Sequence, residues 1–139
     1  HGIVDVGASV SSVVVGNSHT CALGPTIGLR CWGRNDYAQL GTADLENRGT
    51  LASNVPSRLD PIALGPGSTA QAVYAAAQQT CVLLGDARVR CWGWNESGQL
   101  GLGYISSDWV QMGLPHPYVG GDPEHTPDKL PSINVSAPQ

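Results

Sequence analysis

Residues 90–103 read "RCWGWNESGQLGLG", and residues 30–43 read "RCWGRNDYAQLGTA". Placed without a gap, residues 20–41 and 80–101 agree at eleven of 22 positions. The agreements include both cysteines, the Trp-Gly pair, the asparagine and the Gln-Leu-Gly ending. Two copies of so specific a phrase mark an internal duplication, and an internal duplication marks a repeat architecture.

Each copy reads as a β-hairpin. "TCALGPTIGLRCWG" centres on Thr26, with Gly24 and Gly28 symmetric about it, and "TCVLLGDARVRCWG" centres on Asp86 in a Gly-Asp turn signal. With those centres Cys21 faces Cys31 and Cys81 faces Cys91 across paired strands, close enough for disulfides. Zinc ligation asks for short C-x₂₋₄-C spacings, whereas nine residues separate each pair here. Disulfides imply an oxidising compartment, so a secreted or cell-surface chain is expected. "SSVVVG" at 11–16 and "QAVYAAA" at 71–77 supply a further strand before each hairpin. After each hairpin, glycines permit positive φ and the asparagine can bond to its own turn.

The bulk composition agrees. Of 139 residues only 13% are charged, while glycine and proline number 28 together (18 + 10), which suits short strands and many turns. A net charge of −4 and a single lysine, Lys129, leave no basic patch for nucleic acid. No apolar run approaches the ~20 residues that span a bilayer. The chain starts at His1 without a methionine, which suggests a processed chain or a fragment.

"HTCAL…LRCWGRNDYAQLG" and "QTCVL…VRCWGWNESGQLG" resemble the repeats of the regulator-of-chromosome-condensation family, in particular its secreted, disulfide-containing branch. In that family each repeat makes one four-stranded blade of a β-propeller. The resemblance therefore implies an all-β chain of two propeller-type blades of antiparallel strands, an incomplete propeller or an open repeat stack. The first copy departs at Ala38, where the family prefers the glycine seen at Gly98. Some relatives are nucleotide-exchange factors for a small GTPase and one secreted type inhibits β-lactamase, but likeness of fold alone carries neither activity.

A third element recurs: "VDVG" at 4–7, "IALG" at 62–65 and "INVS" at 133–136. The chain thus divides into a first blade repeat with an N-terminal strand (1–61), a second with a long insertion at 108–128 (62–129), and a C-terminal strand or tail (130–139). Two blades cannot close a propeller, and repeat units need neighbours to cover their faces. Self-assembly follows as the leading expectation, by blade stacking or by a terminal strand completing a neighbour's sheet, into a filament or ring. Val4, Val6, Ile133 and Val135 on the outer strands are the expected contacts, with Trp109, Met112 and Tyr118 in the insertion. The alternative is a fragment of a larger propeller that binds a protein or glycan through blade-end loops.

The remaining signals are weaker. Asn95 and Asn134 stand in N-glycosylation sequons, yet Asn95 aligns with Asn35, which lies in none, so a turn role competes there. Asp122, Glu124, His125 and Asp128 lack the alternation of a calcium loop and read as a solvated acidic turn. His19 aligns with Gln79, an exchange that suits a structural hydrogen bond better than a metal ligand or a general base. An N-terminal His1 can chelate copper, but the repeat points to another fold. With no G-x-S-x-G, H-E-x-x-H or P-loop, a non-enzymatic protein without cofactor or metal is expected.

Overall fold

A computed structural model describes residues 2–104 and 118–134. Among the described residues the architecture is all-β, with two antiparallel sheets and one 3₁₀ turn at Pro56–Arg58. The first blade has β1 (Ser12–Val15), β2 (His19–Gly24) and β3 (Gly28–Gly33), ordered β1-β2-β3. The second has β4 (Ala70–Ala76), β5 (Gln79–Leu84) and β6 (Arg88–Trp94) in the same order. Two short strands share the free edge of β6. β7 (Tyr118–Val119) pairs with its end at Gly93–Trp94, and β8 (Ile133–Asn134) with its start at Arg88–Val89.

The two hairpins have the same register. Cys21 lies opposite Cys31 and Cys81 opposite Cys91, and both pairs are disulfide-bonded. A disulfide between facing strands holds the register, because a slip by one residue would turn every side chain to the other face. Ala38 has a φ of 58° where Gly98 has 73°, so alanine keeps the same turn at the cost of a left-handed backbone. Both turns close alike, by Gly41 N–H to the Ala38 carbonyl and by Gly101 N–H to the Gly98 carbonyl.

The three expected connecting strands behave differently. Only Ile133–Asn134 forms a ladder strand, and it pairs with the chain's own β6. Residues 62–65 take the same place on the first blade through one bond, Ile62 N–H to the Leu29 carbonyl, and form no ladder. Pro61 offers no N–H before it, and Gly65 leaves the extended conformation with a φ of 90°, so pairing stops after one bond. This bond ties 62–65 to the first blade, so that blade extends past residue 61. Residues 4–7 form no strand either.

The core lies between the blades. Leu29, Leu40 and Ile62 of the first blade belong to one buried cluster with Val73, Val82 and Trp92 of the second. Val13, the repeat counterpart of Val73, is 55% exposed, whereas Val73 is 3% exposed. The same residue type thus reports on whether a blade face is covered.

Candidate functional site

The chemistry concentrates where the two blades meet. The Gln39 carbonyl, in the Gln-Leu-Gly turn of the first blade, accepts two bonds from the second. Thr80 Oγ1 donates over 2.7 Å and Trp92 Nε1 over 3.1 Å. Gln39, Thr80 and Trp92 are fully buried. The Thr80 proton is committed to that carbonyl, so His19 Nε2, 2.9 Å away, is the donor to Thr80 Oγ1. His19 Nδ1 then carries the lone pair, and it is buried without a partner. Burial accordingly lowers the His19 pKa below its usual value.

Two glycines make room for this joint. Gly41 has a φ of 68°, and a Cβ there would lie 2.7 Å from Trp92 Nε1 and 2.8 Å from Pro127 Cγ. A Cβ on Gly16 would meet the His19 ring at 2.3 Å. Asn35 and Asn95 support the turns from within. Their Oδ1 atoms accept from Leu40 N and Leu100 N, and Asn35 Nδ2 donates to the Asp44 carbonyl.

A second joint contact repeats. Arg90 Nη1 donates to the Leu64 carbonyl over 2.6 Å, which joins the second blade to the outer segment of the first. Arg30, its counterpart, donates to the Val6 carbonyl over 2.8 Å. Gly7 and Gly65 follow these carbonyls with φ of 92° and 90°. Residues 4–7 therefore lie on the first blade as 62–65 lie on the second. They occupy the place of the outer strand of a preceding blade.

The expected contact residues separate. Val6 is half-buried beneath Arg30, Val4 is 60% exposed, and Ile133 is 36% exposed opposite Val89. Tyr118 sits in β7 opposite Trp94, whose ring meets Tyr37 edge-on at 4.4 Å. Trp109, Met112 and Val135 lie outside the described residues. Asn134 is in β8, and its sequon runs beyond them. Asn95 is fully buried with Nδ2 directed at the Tyr104 carbonyl, so the folded chain offers no attachment point for a glycan there.

Asp122 serves its own turn, accepting from Glu124 N, His125 N and His125 Nδ1. Burial opposes its ionisation, but the His125 and Glu124 bonds outweigh that and hold its carboxyl below the usual range. Among the described residues no three His, Cys, Asp or Glu side chains gather as metal ligands. A groove of about 430 Å³ beside the joint is lined by Gly41, Arg48 and Pro127 among others, and its one cysteine, Cys31, is disulfide-bonded. Sequence reading missed Thr80, Gln39 and Trp92 as a unit. Their identity in both copies was the available signal, but nothing in it said that they meet across blades.

Two stapled blades packed face to face define a β-propeller repeat protein. The profile of the regulator of chromosome condensation (RCC1) repeat matches residues 10–39 and 79–99, and the chain belongs to this RCC1-like repeat family. It is 32% identical over 97 residues to the Arabidopsis thaliana ultraviolet-B receptor UVR8, covering 70% of this chain and 20% of that protein. It is 29% identical over 114 residues to the Mus musculus X-linked retinitis pigmentosa GTPase regulator, covering 82% and 10%. Yeast RCC1 (Prp20), solved with Kap60, superposes with a TM-score of 0.57 at 19% identity over 91% of this chain and 26% of that one. Human WBSCR16 gives 0.53 at 23% identity over 69% and 23%. These two likenesses show the fold. The chain spans a fifth of the first of these curated relatives and a tenth of the second.

Proposed function

We propose that this chain is a non-enzymatic assembly module, an open blade pair that associates with copies of itself through its outer blade faces into an extracellular or cell-surface ring or filament. The observation that carries this reading is the pair of matched arginine contacts. Arg30 grips residues 4–7 as Arg90 grips 62–65, so the first blade already carries a segment in the position of a preceding blade's outer element. Exposed Val13 and Val15 on edge strand β1 are open to a further blade. The two disulfides fit an oxidising compartment. Sedimentation of the purified 14.5 kDa chain tests the reading, with growth in mass expected as concentration rises. A monomer at every concentration overturns it.

A second reading is favoured by the small share of each relative that the chain covers. In it the blades belong to a larger propeller whose loops bind a protein or glycan. A yeast relative, Prp20p, has been described with binding properties to Gsp1p and histones. Immunoblotting of the native protein decides between the readings, because a band well above 14.5 kDa supports the second.

A further inference from the structure

The joint between the blades is written twice, and only one copy of it is closed. Shifting each joint residue by one repeat gives the two outer faces of the blade pair. Thr80 and Trp92, the donors, become Thr20 and Trp32 on the outer face of the first blade. Gln39, the acceptor, becomes Gln99 at the end of the second. His19 becomes Gln79, whose amide can donate as the imidazole does.

Burial follows the same division. Gln39 is fully buried and Gln99 exposed, while Thr80 and Trp92 are fully buried and Thr20 and Trp32 only half-buried. Among the described residues the Thr20 hydroxyl, the Trp32 indole N–H and the Gln99 main-chain carbonyl have no hydrogen-bond partner. Trp32 lines a groove of about 640 Å³ with Ile3, Val4 and Val55, whereas its counterpart Trp92 packs onto Gly41. One end therefore presents unused donors with an unfilled groove, and the other presents the acceptor that such donors meet inside the molecule.

We infer that a second copy of the chain docks its Gln99 turn onto the Thr20–Trp32 face in a head-to-tail joint that reproduces the internal one. This rests on the self-association reading and adds the polarity and the atoms of the contact. Such a contact uses two different surfaces, so it continues into a ring or a filament. It also sets two segments against each other. Residues 4–7 of one copy and β8 of the other are the same element of a blade and claim one place. β8 is paired in a ladder, whereas 4–7 has no ladder and is held by Arg30. The 4–7 segment yields, and Arg30 turns from Val6 to the outer strand of the docked copy.

Sedimentation velocity on the oxidised chain tests this with variants at each end. Trp32→Ala removes the donor end, and Ile133→Arg places a charge beside Gly101 at the acceptor end, where Ile133 Cδ1 now lies. Each variant alone should associate at least tenfold more weakly. A 1:1 mixture should form a dimer and grow no further, because one competent pair of ends remains. Thr20→Val, which keeps the side-chain shape and removes its donor, should also weaken association by up to about tenfold, the energy of one hydrogen bond. Deleting residues 2–7 should strengthen it. A wild-type chain that is monomeric throughout overturns the self-association reading and this inference together. A wild-type chain that assembles while the end variants assemble equally, or while their mixture stays monomeric, overturns this joint alone.

Discussion

The Thr80 hydroxyl of the second blade donates to the Gln39 carbonyl of the first over 2.7 Å, and His19 closes on the same hydroxyl from the other side. Thr80→Val keeps the shape and removes both bonds, leaving a buried carbonyl with one donor and a buried imidazole with none. The expected loss is about 1–3 kcal/mol in urea unfolding, with Thr80→Ser recovering most of it.

His19 makes the joint acid-sensitive. Its folded pKa lies below 6.5, so the unfolded chain binds the proton first. Its contribution is complete above 6.5 and is lost as pH falls from there through the lower folded value. His19→Gln, which installs the residue found at position 79, should flatten that part of the stability–pH curve. An unchanged slope between pH 7 and 5 would remove His19 as its source.

Gly41 is required by its neighbour as well as by its backbone. Gly41→Ala places a Cβ against Trp92 at positive φ and should cost roughly 2–4 kcal/mol. Gly103→Ala is the control, with a φ of 84° and no atom of the described residues within 4 Å, and should cost only about 1–2 kcal/mol of backbone strain. Equal losses in thermal unfolding would mean that the ring contact adds nothing.

Each disulfide closes a short loop, with a sequence separation of 10. Replacing Cys81 and Cys91 by alanine should cost roughly 2–3 kcal/mol by loop-entropy reasoning. Unfolding with and without reductant measures it, and reductant should not affect a chain that lacks both pairs.

Expressed through a eukaryotic secretory pathway, the folded chain should carry no glycan at Asn95, whose amide is buried in its turn. Peptide mass spectrometry around residue 95 checks this, and Asn134→Gln tests the other sequon.

Much of this fold was legible from the chain because its repeat is local. Symmetric glycines placed the hairpin centres, and those centres put Cys21 against Cys31 and Cys81 against Cys91. The outer strands were less legible. "VDVG", "IALG" and "INVS" share a pattern, yet only the last pairs in a ladder, because Pro61 and Gly65 cut the second short and the first lies on a face with no strand beside it. His19 was assigned a structural hydrogen bond from its exchange with Gln79, but Thr80 as its partner was not readable.

Sequence by itself determined the duplication, the hairpin register, the disulfides and the turns closed by Asn35 and Asn95. These are contacts between residues a few positions apart, where spacing and residue type suffice. The tertiary structure alone decided that Gln39, Thr80, Trp92 and His19 form one joint. Those contacts span 41, 53 and 61 positions, and no local pattern encodes them. Only packing one blade face on the other brings them within reach, because the apolar cluster between the sheets excludes water and leaves each polar group no other partner.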